Sequence, residues 1–260
     1  MKVISANIAH GLSLSSLTTV EAETIANLAN ELDADIVCLQ EVDFVKSRSS
    51  NIDQTKLIAQ AGGFVTARFF PALVGEPGRR ADFRMPGEAE VLNSPADAYG
   101  VSILSRFPIV SETFLQVQGS KLSLPMPFVI DERTQWRAIP DEPRIIGVLT
   151  LQTPSGVIDV LTTHLSFIPT RAIAQLFELK KLLGAHPVIL AGDLNLAPIV
   201  TSRITNLSHA VTAPTYPRFR PRAQLDHILV SNHFQVKSSG SLELSVSDHL
   251  AVFAELTLTT

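Results

Sequence analysis

Short apolar runs recur along this 260-residue chain, and amphipathic or turn-rich segments separate them. Runs of this length predict buried strands, whereas longer stretches with apolar residues three and four positions apart predict helices. The helices are predicted over 18–32, 53–61 and 170–183. The strands are predicted over 3–8, 35–40, 99–104, 109–117, 144–151, 157–163, 186–191, 225–230 and 250–256.

Turn and capping residues mark where some of these elements begin and end. Thr18 and Glu21 have the spacing of a helix capping box, and Gly184 follows the third helix as a stop. The segments 71–98 and 119–143 predict long loops, which in compact domains are commonly functional or disordered. Because no linker or tandem repeat divides the chain, we expect one α/β domain with two mixed sheets covered by helices.

Polar side chains stand at the ends of many predicted strands. In the segment 188–195 an apolar run ends on Gly192, Asp193 and Asn195, and we expect Gly192 to let the backbone turn tightly. Each such residue alone is compatible with a cap, a turn or a solvated strand end. Turn chemistry alone does not explain so many polar residues at strand ends. Because the strand ends of a rigid scaffold often carry catalytic groups, we expect these residues to form a functional site. The other members are Asn7, Glu41, His164, Asp226, Asp248 and His249.

This set of residue types indicates a particular reaction. Carboxylates with an amide oxygen suit a hard divalent cation such as Mg²⁺, which prefers oxygen ligands. Histidines beside such a site suit a phosphate, since an imidazolium pairs with its oxygens and can pass protons. A carboxylate that the metal does not need can deprotonate a water. The implied chemistry is metal-assisted hydrolysis of a phosphate ester.

Composition and charge narrow the classes of protein. The formal net charge of -4 and the sequence pI of about 6.0 argue against coating nucleic acid by bulk charge. The single cysteine, Cys38, lies in an apolar run and permits no disulfide within the chain. No signal peptide or membrane-spanning run is found, so we expect a soluble cytoplasmic protein without an obligate protein partner.

The ordered motifs of the chain resemble those of the endonuclease/exonuclease/phosphatase superfamily. The resemblance spans residues 3–256, and two of its motifs, Gly-Asp-Leu-Asn at 192–195 and Ser-Asp-His at 247–249, are weak alone. Their strength lies in the complete ordered set. That set is Asn7, the Leu-Gln-Glu-Val of 39–42, the run from Tyr99 to Arg106, the Thr-His-Leu of 163–165, 192–195, the Leu-Asp-His-Ile-Leu of 225–229, and 247–249.

The resemblance implies a fold and a division of roles. The fold is a four-layer α/β sandwich, in which two packed mixed β-sheets are flanked by helices, as one domain over residues 1–260. The implied cofactor is Mg²⁺, with Mn²⁺ as an alternative. The resemblance implies that Glu41 binds the metal, with Asn7 beside it and Asp248 near the metal or a second ion. It implies that Asp193 activates the water, that Asn195 binds the phosphate or the water, and that His249, with Asp226 as its partner, stabilises the phosphate. His164 is implied to contact the phosphate or to assist the leaving group, with support from Tyr99.

Several arginines are candidates for substrate binding. Arg48 follows the Glu41 strand, and Arg171 begins the helix after His164. Arg218 and Arg220 are interleaved with aromatic residues and suit a polyphosphate or nucleic-acid strand, although a solvated Pro-rich loop explains them equally well. Arg79, Arg80 and Arg84 in the segment 71–98 are weaker candidates.

The leading hypothesis is a phosphodiesterase that acts on nucleic acid, a phospholipid headgroup or a small phosphoester. The general bacterial branch of the family resembles the chain most, because base-probing loops, long inositol-phosphatase signatures and disulfides are missing from the sequence. A DNA-repair nuclease is an alternative. A non-catalytic binding module is an alternative of another class, and a serine hydrolase is a poorer one because no Gly-x-Ser-x-Gly elbow precedes a helix.

Overall fold

The computed structural model describes residues 1–12, 21–120, 123–130 and 133–259. Within these ranges the chain forms fifteen β-strands and five α-helices, which are numbered in chain order. None of these helices is both long and apolar enough to cross a membrane. The helices are α1 (Ala22–Glu31), α2 (Gln54–Gly62), α3 (Glu88–Asn93), α4 (Pro169–Lys180) and α5 (Pro198–Thr205).

The strands form two mixed sheets and a separate hairpin. The seven-stranded sheet contains β1 (Lys2–Asn7), β2 (Ile36–Phe44), β3 (Thr66–Gly75), β4 (Phe83–Arg84), β5 (Ala98–Ser105), β14 (Phe234–Leu242) and β15 (Ala251–Leu258), in the spatial order 14-15-1-2-5-3-4. The six-stranded sheet contains β6 (Ile109–Val117), β9 (Arg144–Thr153), β10 (Gly156–His164), β11 (Val188–Asp193), β12 (Ser208–His209) and β13 (Asp226–Val230), in the order 12-13-11-10-9-6. The hairpin pairs β7 (Ser123–Ile130) with β8 (Arg133–Pro140).

Three hydrophobic clusters separate four layers of structure. The central cluster joins residues of both sheets, such as Val3 and Val101 from one and Leu149 from the other. A second cluster packs α1 and α2 against the outer face of the seven-stranded sheet. A third packs α4 and α5 against the outer face of the six-stranded sheet. The arrangement is the expected α/β sandwich of two mixed sheets flanked by helices.

The structure corrects several element predictions. The segment 119–143 was expected to be a loop, yet most of it is the β7–β8 hairpin, whose prolines hide the strand pattern. The segment 71–98 also contains structure, because β3 runs to Gly75 and β4 and α3 follow. Strand β14 and helix α5 were missed, and the exposed face of β14 gives no apolar run. The predicted capping residue Thr18 lies outside the described residues.

Parallel strand pairs bring the polar strand ends to one edge of the sandwich. Strands β1 and β2 are parallel, with Asn7 opposite Gln40, so Glu41 lies just beyond Asn7. Strands β10 and β11 are also parallel, with His164 opposite Asp193, and antiparallel β13 places Asp226 opposite Asp193. The registers of these pairs therefore collect side chains from distant parts of the sequence at a single site.

Gly192 is required for a different reason from the expected tight turn. It lies inside β11 and is not among the residues with positive φ. A Cβ atom at this position would lie 2.3 Å from the backbone oxygen of Thr163, so only glycine lets β10 and β11 approach this closely. The left-handed backbone conformation occurs instead at Asn195, where φ is +50°.

Candidate active site

The polar strand ends line one open cavity of about 1170 Å³. Seven of the nine residues that were expected to form the catalytic and metal-binding set line it directly, and the other two, Asn7 and Asp226, contact members of the lining. The structure thus brings together side chains from both sheets. The expected residues in the lining are Glu41, Tyr99, His164, Asp193, Asn195, Asp248 and His249.

Glu41 is aimed into the cavity by a β-bulge. The pairing of β2 with β5 shifts between Leu39 and Val42, and Glu41 itself adopts a left-handed φ of +56°. Such a backbone is unfavourable for a residue with a side chain and is typically retained where a site needs it. The Nδ2 group of buried Asn7 donates to Glu41 Oε1 at 3.0 Å and to Asp193 Oδ2 at 3.2 Å. Asn7 therefore bridges two carboxylates from different sheets.

Asp193 is the buried carboxylate at the centre of the site. Burial, followed by the negative charge of Asp226, raises its pKa to about 7. Its Oδ1 atom accepts a hydrogen bond from the backbone N–H of Asn195 at 3.1 Å, and the side-chain amide of Asn195 donates to the carbonyl oxygen of Leu165. These contacts fix the relative positions of a basic carboxylate and a neighbouring amide.

His249 and Asp226 form a buried ion pair. The ring Nδ1 of His249 lies 2.9 Å from Asp226 Oδ2. Burial alone would lower the pKa of His249, but the hydrogen bond and charge of Asp226, with Asp193 and Asp248, raise it to about 10. His249 is therefore an imidazolium at neutral pH, and its Nε2 N–H has no hydrogen-bond partner among the described residues. The ring of Tyr216 packs against it with 4.8 Å between ring centroids.

His164 differs from His249 in charge. Its Nε2 lies 3.5 Å from Asp193 Oδ2 and its Nδ1 lies 3.9 Å from Glu41 Oε1. Burial, reinforced by the positive charges of Arg144 and His249, lowers the pKa of His164 well below its usual range. The ring is thus neutral at pH 7, and its buried Nδ1 has no hydrogen-bond partner. Only one of the two histidines supplies the imidazolium that the sequence led us to expect.

Tyr99 is buried beside these residues, and burial raises its pKa well above the usual range. The guanidinium of Arg48 lies 5.5 Å from the centre of its ring. In the described part of the chain no hydrogen bond joins the Tyr99 hydroxyl to His164. The expected support of His164 by Tyr99 stays a prediction.

The donor set fits a hard divalent cation. Glu41 and Asp248 present carboxylates to the cavity, Asn7 adds an amide beside Glu41, and no ion pair neutralises Glu41 or Asp248 with a lysine or arginine among the described residues. Such all-oxygen surroundings are those that Mg²⁺ and similar ions prefer. A second group, Asp193, Asp226 and His249, has donor atoms within 4.8 Å of one another and could also hold a metal ion.

The four predicted substrate-binding arginines lie in different surroundings. Arg48 lines the cavity, but buried Asp43 binds its guanidinium through contacts of 2.8 and 2.7 Å. Arg171, Arg218 and Arg220 are not among the cavity-lining residues. Arg171 donates to the carbonyl oxygen of Gln118, and Arg218 binds Glu243 at 2.7 Å. Arg220 is exposed to solvent.

Sequence reasoning missed four charged residues in the cavity wall, and two of them, Glu76 and Asp82, lie between β3 and β4. The other two, Glu142 and Arg144, are largely buried. Glu142 lies two residues before strand β9, and Arg144 is its first residue. The only signal in the sequence was therefore their position at a strand end. The wall is completed in part by Ala138 and Ile139 of β8, which belong to the segment expected to be a loop.

The sequence pattern described as the Endonuclease/Exonuclease/phosphatase family matches residues 4–249. The chain belongs to this family. The match covers nearly the whole chain and includes every residue of the expected catalytic and metal-binding set. Comparison with curated proteins finds no match.

Solved structures of family members share the fold. An endonuclease/exonuclease/phosphatase from Beutenbergia cavernae is 23% identical, with a TM-score of 0.71 over 100% of this chain and 72% of that chain. A mannosyl-6-phosphatase from Bacteroides thetaiotaomicron is 18% identical, with a TM-score of 0.64 over 99% of this chain and 100% of that chain. The human Nocturnin catalytic domain, solved with a bound sulfate anion, is 20% identical, with a TM-score of 0.61 over 100% and 94%.

Proposed function

We propose that this protein is a Mg²⁺-dependent phosphoester hydrolase that acts on phosphodiesters, with Mn²⁺ able to replace Mg²⁺. The observation that carries the proposal is the meeting of a basic carboxylate, an imidazolium and cation-binding oxygens in one cavity. Asp193 Oδ2 lies 3.5 Å from His164 Nε2 and 3.9 Å from His249 Nδ1. We treat residues 1–260 as one catalytic domain, since the central core joins both sheets.

In the proposed reaction Asp193 takes a proton from a water as the water oxygen attacks phosphorus. A carboxylate with a pKa near 7 is a suitable base at neutral pH. A bond forms between the water oxygen and phosphorus, the bond from phosphorus to the leaving oxygen breaks, and the departing alkoxide takes a proton from solvent water. His164 lies beside Asp193 and is neutral, so its role is to orient the water or to hydrogen-bond the leaving oxygen.

The remaining residues stabilise the phosphate. The imidazolium of His249 donates to a phosphoryl oxygen, and Asp226 holds its charge and tautomer. The amide of Asn195 donates to the phosphate or to the water. A cation held by Glu41, Asn7 and Asp248 would stabilise negative charge on the phosphate oxygens. The sulfate anion bound by the Nocturnin catalytic domain is consistent with an anion site in this fold.

The proposal is tested with two aryl esters. Hydrolysis of bis-p-nitrophenyl phosphate and of p-nitrophenyl phosphate is measured with Mg²⁺, with Mn²⁺ and with EDTA. We expect metal-dependent cleavage of the diester that Asp193→Asn reduces by roughly a hundredfold or more. Cleavage of the monoester alone would replace the diesterase proposal with a phosphatase. Cleavage of neither ester, or full activity in EDTA, would contradict it.

A further inference from the structure

Part of the cavity wall is formed by residues outside the expected catalytic and metal-binding set, and we call this part the distal wing. At about 1170 Å³ the whole cavity exceeds the space that a phosphate group needs and lies above the usual range of small-molecule pockets. It therefore has room for the alcohol portion of an ester. The distal wing comprises the cavity-lining residues Glu76, Arg79, Asp82, Ile139, Glu142 and Arg144.

Arg144 supplies an unpaired cation to this wing. Its side chain is at the start of β9, only 5% of the residue is exposed, and its Nε atom has no hydrogen-bond partner. No ion pair is found for it in the described part of the chain. Arg48, by contrast, is bound by Asp43. A buried guanidinium N–H without a partner is costly, so the position of Arg144 fits a ligand oxygen better than a structural role.

Glu142 supplies a hydrogen-bond acceptor on the same wall. Its Oε1 atom accepts from the backbone N–H of Gly78 at 2.9 Å, which ties the loop after β3 to β9. Its side chain does not form an ion pair with Arg144 within 4.0 Å, although both residues line the cavity. An acceptor and a donor thus face the same space without satisfying each other.

The charges of the wing select against a second phosphate. Lys46 binds Glu76 at 3.1 Å and Asp43 binds Arg48 at the border of the wing, which leaves Asp82 and Glu142 to balance Arg79 and Arg144. A polyanion would meet as many negative as positive groups there. A hydroxyl group both donates and accepts hydrogen bonds, and so matches a wall that offers a guanidinium and a carboxylate.

Resting on the proposed hydrolase function, we propose that the distal wing binds the hydroxyl-bearing alcohol portion of a small sugar or polyol phosphoester. Arg144 donates to its hydroxyl oxygens, and Glu142 accepts from its hydroxyl groups. Arg144 and Glu142 are then specificity residues for the leaving group, and the catalytic residues handle the phosphate.

The test compares two inhibitors of aryl-ester hydrolysis that share the phosphate group. Glucose 6-phosphate carries hydroxyl groups that the wing can bind, whereas inorganic phosphate carries no sugar portion. We expect wild type to bind glucose 6-phosphate about tenfold more tightly than phosphate, a ratio typical of one or two added hydrogen bonds. Arg144→Gln and Glu142→Gln should each lose most of that ratio. Arg203→Gln and Glu255→Gln, which change exposed residues outside the cavity, should keep it.

Several results would overturn the proposal. Equal affinity of wild type for glucose 6-phosphate and inorganic phosphate would overturn it. Equal weakening of the two ligands by Arg144→Gln would also overturn it, because Arg144 would then act at the reacting phosphate. A preference for fructose 1,6-bisphosphate that Arg144→Gln removes would indicate an anion site. If thermal unfolding shows that Arg144→Gln is not folded, Arg144→Lys is compared in its place, because lysine keeps the positive charge but lacks the planar guanidinium.

Failure of the hydrolase proposal is separable from failure of this inference. If wild type cleaves no aryl ester, calorimetric titration with glucose 6-phosphate and inorganic phosphate compares the same affinities without turnover. Tighter binding of the sugar phosphate, lost in Arg144→Gln, supports the wing as a hydroxyl site. Equal affinities and binding heats for glucose 6-phosphate and inorganic phosphate would reject the wing as a hydroxyl site.

Discussion

At the scale of single residues, environment divides similar side chains between different tasks. His164 and His249 both face Asp193, yet only His249 has a carboxylate in direct contact with its ring nitrogen at 2.9 Å. Burial therefore dominates at His164 and lowers its pKa, whereas Asp226 outweighs burial at His249 and raises its pKa. The neutral ring suits an orienting role, and the charged ring suits phosphate binding.

Asp226→Asn tests this division. The amide keeps the shape of the carboxylate but removes its charge, so the pKa of His249 should fall from about 10 toward its ordinary value. We expect kcat/KM to fall by roughly a hundredfold or more above neutral pH, where the ring becomes neutral. Titration of the His249 ring by NMR checks the pKa, and Asp33→Asn at an exposed ion pair is the control. An unchanged His249 titration would refute the pairing.

Glu41→Gln tests the cation site. The substitution keeps the size of the side chain and removes the charge, so we expect weaker binding of Mg²⁺ by about tenfold to a hundredfold. Calorimetric titration with Mg²⁺ measures the affinity, and aryl-ester hydrolysis at several metal concentrations measures the effect on activity. Glu243→Gln, which lies outside the cavity, is the matched control. Unaltered metal affinity in Glu41→Gln would move the site to Asp193, Asp226 and His249.

At the scale of elements, close strand pairing sets the positions of the catalytic groups. The register of β10 with β11 places His164 opposite Asp193, and it depends on the absence of a side chain at Gly192. The apolar run predicted a strand that ends at Ala191, whereas β11 continues to Asp193, and a strand pattern does not show which backbone approaches it. The need for glycine at position 192 therefore becomes clear only from the close approach of the neighbouring strand β10.

Gly192→Ala should separate β10 from β11. Its Cβ would lie 2.3 Å from the oxygen of Thr163, a backbone atom that cannot move without the strand. We expect a loss of about 1–3 kcal/mol in the free energy of unfolding, typical of overpacking, together with reduced activity. Urea unfolding measures the stability.

Gly87→Ala is the matched control for this substitution. A Cβ atom there would lie 3.7 Å from Glu90 Oε2, an ordinary contact, and the residue has an ordinary extended backbone. It should change stability little. Equal stability of Gly192→Ala and wild type would show that the two strands can separate without cost.

At the scale of the whole molecule, sequence reasoning recovered what depends on local pattern and on motif order. The apolar strands and their polar ends follow from local pattern, and the sandwich followed from the ordered motifs. The hairpin of β7 and β8 was missed because Pro125 and Pro127 interrupt its strand pattern. The placement of Arg144 inside the cavity, and of Arg218 and Arg220 outside it, depends on how loops from both sheets pack. No local pattern contains that information.

The stability of the whole protein should fall in acid partly because of His227. Its ring is fully buried, and its Nε2 N–H donates to the carbonyl oxygen of Leu196, 3.0 Å away. Burial, followed by the charge of His209, lowers its pKa from 6.5 to about 4. A lowered histidine pKa means that the folded state prefers the neutral ring. Its contribution is complete above pH 6.5 and is lost as pH falls toward 4.

Urea unfolding at pH 7.5 and pH 4.5 measures this contribution. A shift of this size corresponds to at most about 3 kcal/mol of unfolding free energy. We expect His227→Gln to lose less stability than wild type between the two pH values, because glutamine does not titrate. His233→Gln, at an exposed position, should follow wild type. If His227→Gln loses as much stability as wild type, protonation of His227 is not what weakens the fold in acid.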